Sequence, residues 1–157
     1  MRFGAVSAFQ RWQFRDGRPN RSARVLSRLL GIAFAAGIGP NQAAVIEVRG
    51  RKTGRTISFP VAVVAYEGDR YLVAMLGNET NWVRNLRANN RAVLLHGTRE
   101  NVSLVEDFSD NRAAILRRYL ELAGGARPFF PIDRRAPLSD FEGIIQDYPV
   151  FRVAPAV

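Results

Sequence analysis

The sequence predicts an α+β fold, mainly β, in which a small barrel of antiparallel strands carries helices at its start and around its rim. Three observations predict it. The apolar period is helical up to about residue 40, becomes two from Ala44 to Val105, and turns helical again after Ser109. Short Gly- and Asp-containing breaks, such as Glu67-Gly68-Asp69, separate the period-two runs as hairpin turns do. The chain has 157 residues, 47% of them apolar, which suits one domain able to bury about two-thirds of its unfolded surface.

Two helices fit the start of the chain. Ala5, Ala8, Phe9 and Trp12 recur at helical spacing until Asp16, Gly17 and Pro19 break the pattern. Ser22 is placed to cap a second helix with a stripe of Val25, Leu26, Leu29, Leu30 and Ala33, and Gly37, Gly39 and Pro40 end it. Alternation of Ala44, Ile46 and Val48 with Val45, Glu47 and Arg49 predicts a first strand. After a turn at Gly50–Gly54, one long strand is expected with Ile57, Phe59, Val61, Val63 and Ala65 on one face, then a third with Tyr71, Val73 and Met75. Thr80 or Asn81 opens a short helix in which Trp82 and Leu86 stand four apart. Two more strands, Ala92 to His96 and Val102 to Glu106, flank a Gly97-Thr98 turn. Five strands with short hairpins and one inserted helix suggest a closed or partly open barrel. Ser109 then caps a helix of Ile115, Leu116, Tyr119 and Leu122 that Gly124-Gly125 ends. The tail holds a short segment around Phe141–Ile145 and a last strand near Val150–Val153. The organisation expected is a single domain, with an N-terminal helical segment (1–40) on or beside a barrel (41–157).

Composition removes several chemistries. Without cysteine there is no disulfide framework, thiolate metal site or cysteine nucleophile, and one histidine, His96, leaves little for a metal centre; no metal is expected. The net charge is +9, with 23 basic residues of which Lys52 is the single lysine. It is uneven: residues 1–40 carry seven Arg and one Asp. An anionic partner is therefore expected. The most apolar stretch, Leu26 to Ile38, is too short to span a bilayer, so a cytoplasmic protein is the default. Arg21, Arg24 and Arg28 share one helix face, which suits either solvent or an anionic membrane surface; packing on the domain with the Arg face solvated is the favoured reading. Specific nucleic-acid binding is not expected, because no stacking aromatics are interleaved with the basic groups around Gly50–Arg55.

The most informative stretch is Gly50-Arg51-Lys52-Thr53-Gly54-Arg55. Its glycines permit a tight turn, and exposed N–H groups beside Arg and Lys suit a phosphate or carboxylate. It is neither a Walker loop nor a dinucleotide fingerprint. By itself such a turn is most often a solvated hairpin turn; its neighbours change the odds.

A strand with Phe59-Pro60-Val61 follows, and a hairpin later comes Asn81-Trp82-Val83-Arg84-Asn85-Leu86-Arg87-Ala88-Asn89. This order resembles the deazaflavin-dependent nitroreductase family of actinobacteria, with its G-R-K-S/T-G turn, Pro-containing strand and W-x-x-N-L-x-A-N helix. The resemblance covers residues 43–105 well and the tail around Asp140–Val153 more loosely. It implies a split β-barrel of the FMN-binding-like type and the coenzyme F-420, which bears a phosphate and an acidic glutamyl tail. By motif, Arg51, Lys52 and Thr53, with Gly54 shaping the turn, would hold the phosphate, and Arg55 would lie near the tail. Pro60, Val61, Ala62, Met75, Leu76 and Gly77 would line the ring pocket, and Trp82 and Asn85 would close its side. Tyr148 is the candidate proton donor, with plain packing as its alternative. The reaction implied is hydride transfer from reduced coenzyme to a small or lipophilic quinone, nitro compound or activated double bond. FMN or haem in the same barrel is the first alternative, and a homodimer is among the expected states.

Overall fold

The structure is a computed structural model that describes Ile38 and residues 41–157, so the two helices expected before residue 38 lie outside the described residues. Among the described residues seven strands form one antiparallel sheet: β1 (Ala43–Arg49), β2 (Thr56–Ala62), β3 (Val64–Tyr66), β4 (Asp69–Val73), β5 (Arg91–His96), β6 (Thr98–Glu106) and β7 (Val150–Pro155). Helix α1 (Asn81–Ala88) sits between β4 and β5, while α2 (Arg112–Leu122), the short α3 (Leu138–Glu142) and two 3-10 turns fill the chain between β6 and β7.

Strand order explains the barrel. The sheet runs β2-β1-β5-β6-β7-β4-β3, so β2 and β3 are its two edges. Six interstrand steps of about 4.8 Å would hold those edges about 29 Å apart if the sheet were flat. Yet β2 and β3 are joined by the single residue Val63. The sheet must therefore curl until its edges meet, which makes a split barrel. The expected long second strand is corrected here. Side-chain alternation continues through Val63, but the Val63 N–H bonds the Gln42 carbonyl (2.8 Å) and the chain then leaves β1 for β4, with Val64 opposite Tyr71. The third strand stops at Val73, two residues before Met75, and the fifth begins at Thr98 rather than Val102.

Two apolar clusters lie on either side of the sheet. The inner one holds Ile46, Phe59, Val61, Val63, Leu72, Leu94, Leu104 and Phe151, together with Trp82, Val83 and Leu86 of α1. Trp82 lies between the rings of Phe59 (5.1 Å) and Phe151 (5.7 Å), so α1 fills the barrel from within. The outer cluster unites Ala43, Ala62, Val64, Tyr71, Val73 and Met75 with Ile115, Leu116, Tyr119 and Leu120 of α2. Ile38 joins it and forms a bridge to Ala123 just beyond α2. With apolar side chains wanted on both faces, β1 is buried from Ala43 to Val48 instead of showing one polar face, Glu47 included. Helix α2 begins at Arg112 with Asn111 as its N-cap; Ser109 sits two residues earlier, where its hydroxyl accepts from the Asn111 N–H (3.3 Å).

Candidate functional site

The Gly50–Arg55 turn closes on itself. The Gly50 N–H donates to the Arg55 carbonyl (2.8 Å), the Gly54 N–H to the Gly50 carbonyl (2.9 Å), and the Arg55 N–H to Thr53 Oγ1 (3.2 Å). Gly54 takes φ 69°, a left-handed conformation that a side chain would strain. A buried side chain then fixes the turn to the barrel. Asn85, 2% exposed on α1, accepts through Oδ1 from both the Arg51 N–H (3.1 Å) and Arg51 Nη1 (2.9 Å). Asn85 thus braces the turn from behind. The W-x-x-N spacing puts Trp82 and Asn85 on one buried face, where the first anchors the helix and the second holds the turn.

What remains free on the turn is a set of donors. The N–H groups of Lys52 and Thr53 have no acceptor among the described residues. Arg51, Lys52 and Arg55 are exposed, and none has a carboxylate within ion-pair range among those residues. Two adjacent amides among three cations suit a phosphate oxygen cluster. A second observation fits a ligand lying along β2: the Ser58 hydroxyl oxygen is buried and has no hydrogen-bond partner among the described residues. The donor set therefore fits a coenzyme that carries a phosphate.

The ring-pocket residues divide by face. Ala62 and Met75 belong to the same outer cluster, and Leu76 packs against it. Val61 belongs to the inner cluster, so only its backbone faces outward. Pro60, opposite Val45, lies on edge strand β2, where the missing N–H is tolerated. Gly77 adopts φ 90°, and a side chain there would also press on the Asp147 carbonyl at 3.3 Å. This packs the Met75–Gly77 loop against the tail, where the Asn78 amide donates to the Gln146 carbonyl (2.9 Å). Glu79, next to this loop, is paired with Arg84 of α1.

Tyr148 stands apart from the turn. Its hydroxyl donates to the Phe129 carbonyl (3.0 Å) and its ring stacks on Phe130 at 4.3 Å. Burial first, and the Asp147 charge second, raise its pKa. His96 is structural: its Nε2 meets the Asn41 carbonyl at 2.7 Å. A groove of about 320 Å³ opens beside Asn78, between Arg87, Phe108, Arg112 and Pro149. None of the site residues expected from the sequence lines it. There Arg87 is held by both oxygens of Glu106 (3.0 and 2.6 Å) and reaches Asn78 (2.9 Å).

Fold and site together define a split β-barrel whose basic turn fits a phosphate-bearing ligand. Residues 28–126 match the family described as F-420H(2)-dependent quinone reductase, and the chain belongs to that family. No curated protein matches it. Among solved structures, a protein of unknown function from Agrobacterium tumefaciens is similar at TM-score 0.54 and 12% identity, over 87% of this chain and 56% of that one. This chain therefore spans little more than half of that protein's length. A structure described as a domain-swapped dimer is similar at TM-score 0.52 and 17% identity, over 94% of this chain and 98% of that one. An F-420-H2 dependent reductase shares 20% identity at TM-score 0.49, over 74% of this chain and 96% of that one. The fold comparison rests on the first two. Among the described residues no helix is long and apolar enough to cross a membrane.

Proposed function

We propose that this chain binds reduced F-420 along β2 and passes its hydride to a small or lipophilic acceptor, with a quinone first and a nitro compound or activated double bond as the other classes. The observation that carries the reading is the braced turn: two amides without an acceptor and three cations without a carboxylate among the described residues, with Arg51 held by buried Asn85. Arg51, Lys52 and Thr53 seat the phosphate, and Arg55 faces the acidic tail. Pro60, Ala62, Met75 and Leu76, with the backbone of Val61 and Gly77, form the wall for the ring. When bound, the deazaflavin supplies the hydride. The chain supplies orientation, charge complementarity and a surface from which water is excluded. Trp82 and Asn85 act from within, by fixing the wall and the turn. Tyr148 serves this site through its stack on Phe130, and its hydroxyl would have to leave the Phe129 carbonyl to pass a proton.

A titration of the purified protein with F-420, beside FMN and a short RNA, tests the reading. Saturable F-420 binding that dominates the other two supports it. Arg51→Ala with Lys52→Ala should weaken binding at least tenfold, since charge-assisted contacts are worth about 1.5–3 kcal/mol each. Unchanged binding in a folded double variant would remove the turn from the site. Preference for FMN would keep the fold and change the cofactor, whereas RNA binding alone, steeply weakened by salt, would sink the enzyme reading.

A further inference from the structure

Ser58 plays no part in the resemblance that pointed to this site, and no partner among the described residues accounts for its hydroxyl. Along β2, Ile57, Phe59, Val61 and Val63 pack inward, so the even-numbered residues Ser58, Pro60 and Ala62 face outward. Opposite Ser58 on β1 stands Glu47, whose carboxylate is committed to Arg99 (3.3 and 3.0 Å). Ser58 Oγ is buried without a bond to it or to any other group among the described residues. At about 3.4 Å per strand residue, Ser58 lies about 7 Å from Pro60 and about 10 Å from Arg55. It is therefore placed between the ring wall and the phosphate donors, on the outer face and on an edge strand.

We infer that Ser58 is a ligand-contacting residue, and that its hydroxyl hydrogen-bonds the polyhydroxylated chain joining ring to phosphate in the coenzyme. This rests on the proposed function and adds to it a contact with a third part of the ligand, neither ring nor phosphate. A polyol both donates and accepts, as a serine hydroxyl does, so either orientation of the Ser58 O–H finds a partner. A buried polar group that lacks a partner in the free protein is costly to keep, and ligand binding removes that cost.

The test is Ser58→Ala, read by thermal unfolding without ligand and by titration with two ligands: F-420 itself and the deazaflavin nucleoside that has ring and polyol but neither phosphate nor glutamyl tail. Without ligand, the variant should melt about 2–4 °C higher, because an unsatisfied hydroxyl is gone. It should bind both ligands about three- to tenfold more weakly, by the same factor for each. Arg51→Ala with Lys52→Ala should instead weaken F-420 and leave the nucleoside unaffected. If the Ser58→Ala penalty appears only with F-420, the hydroxyl meets the phosphate and the inference is overturned. Equal affinity of variant and wild type, or a lower melting temperature with unchanged binding, overturns it as well. Wild-type protein that binds neither F-420 nor the nucleoside overturns the proposed function itself, and the Ser58 contact with it.

Discussion

Asn85 is one side chain that converts a flexible hairpin turn into a fixed set of donors. Its amide oxygen takes two hydrogen bonds from Arg51, one from the backbone and one from the guanidinium, so turn and side chain are positioned together. Asn85→Ala should cost about 1–2 kcal/mol of stability by denaturant unfolding, because Arg51 can partly recover hydration at the surface. It should also weaken F-420 binding several-fold although it removes no ligand contact, and Asn85→Asp should retain the brace. A second pair of residues sets a pH dependence. The Arg70 guanidinium grips both oxygens of Glu100 (3.1 and 2.8 Å), which holds that carboxyl below the ordinary glutamate value of 4.5. A lowered folded-state pKa means the pair's stabilisation is complete above about 4.5 and is lost as pH falls through the folded value. With both side chains about a third exposed, its size is under about 1 kcal/mol. Unfolding midpoints measured from pH 7 to pH 3 should fall less steeply for Glu100→Gln than for wild type. The sequence showed the basic turn, since glycine spacing and charge are local properties. The turn's brace was legible only as a motif: no period or charge pattern states that the Asn85 amide reaches back 34 residues. Ser58 was not legible at all, because an unsatisfied hydroxyl exists only once its surroundings are built.

Among the elements, the loop between β4 and α1 is tightly constrained at Gly77. Gly77 combines φ 90° with a carbonyl 3.3 Å from where a side chain would start. Gly77→Ala should therefore cost about 1–2 kcal/mol from the left-handed conformation alone. The clash adds to this and should push Met75 and Leu76 away from the tail. Thermal unfolding would report the first effect. Titrations of F-420 and of the phosphate-free nucleoside would report the second, with both ligands weakened because the damage is at the ring wall. Elements were the scale best read from sequence. Inward and outward faces of β1, β2 and β4, the stripe of α2 and its stop at Gly124 follow from period and turn chemistry. The break at Val63 did not, for a physical reason: alternation records which face a residue takes, and that stays constant through the bend. What changes there is the hydrogen-bonding partner, from β1 to β4, and partner choice is set by the closure of the whole sheet.

At the scale of the whole molecule, the charge of +9 acts on a polyanionic ligand before any contact forms. Long-range attraction and short-range donors leave different signatures. The first raises the association rate and is screened beyond a Debye length of about 8 Å at physiological ionic strength; the second slows dissociation and is screened less. Stopped-flow binding of F-420 across a salt series should therefore show the association rate falling several-fold between about 20 mM and 500 mM salt, with a much smaller change in the dissociation rate. In the Arg51→Ala, Lys52→Ala variant the formal charge drops from +9 to +7, which keeps most of the steering field. Its association rate should stay within about threefold of wild type at each salt concentration while its dissociation rate rises by the full tenfold or more. If the double variant instead lost affinity through association alone, the turn would contribute only to the general field, and the fixed donors around Lys52 and Thr53 would not be the phosphate seat. The phosphate-free nucleoside provides the control, because a ligand with little charge should associate at a rate nearly independent of salt in both proteins.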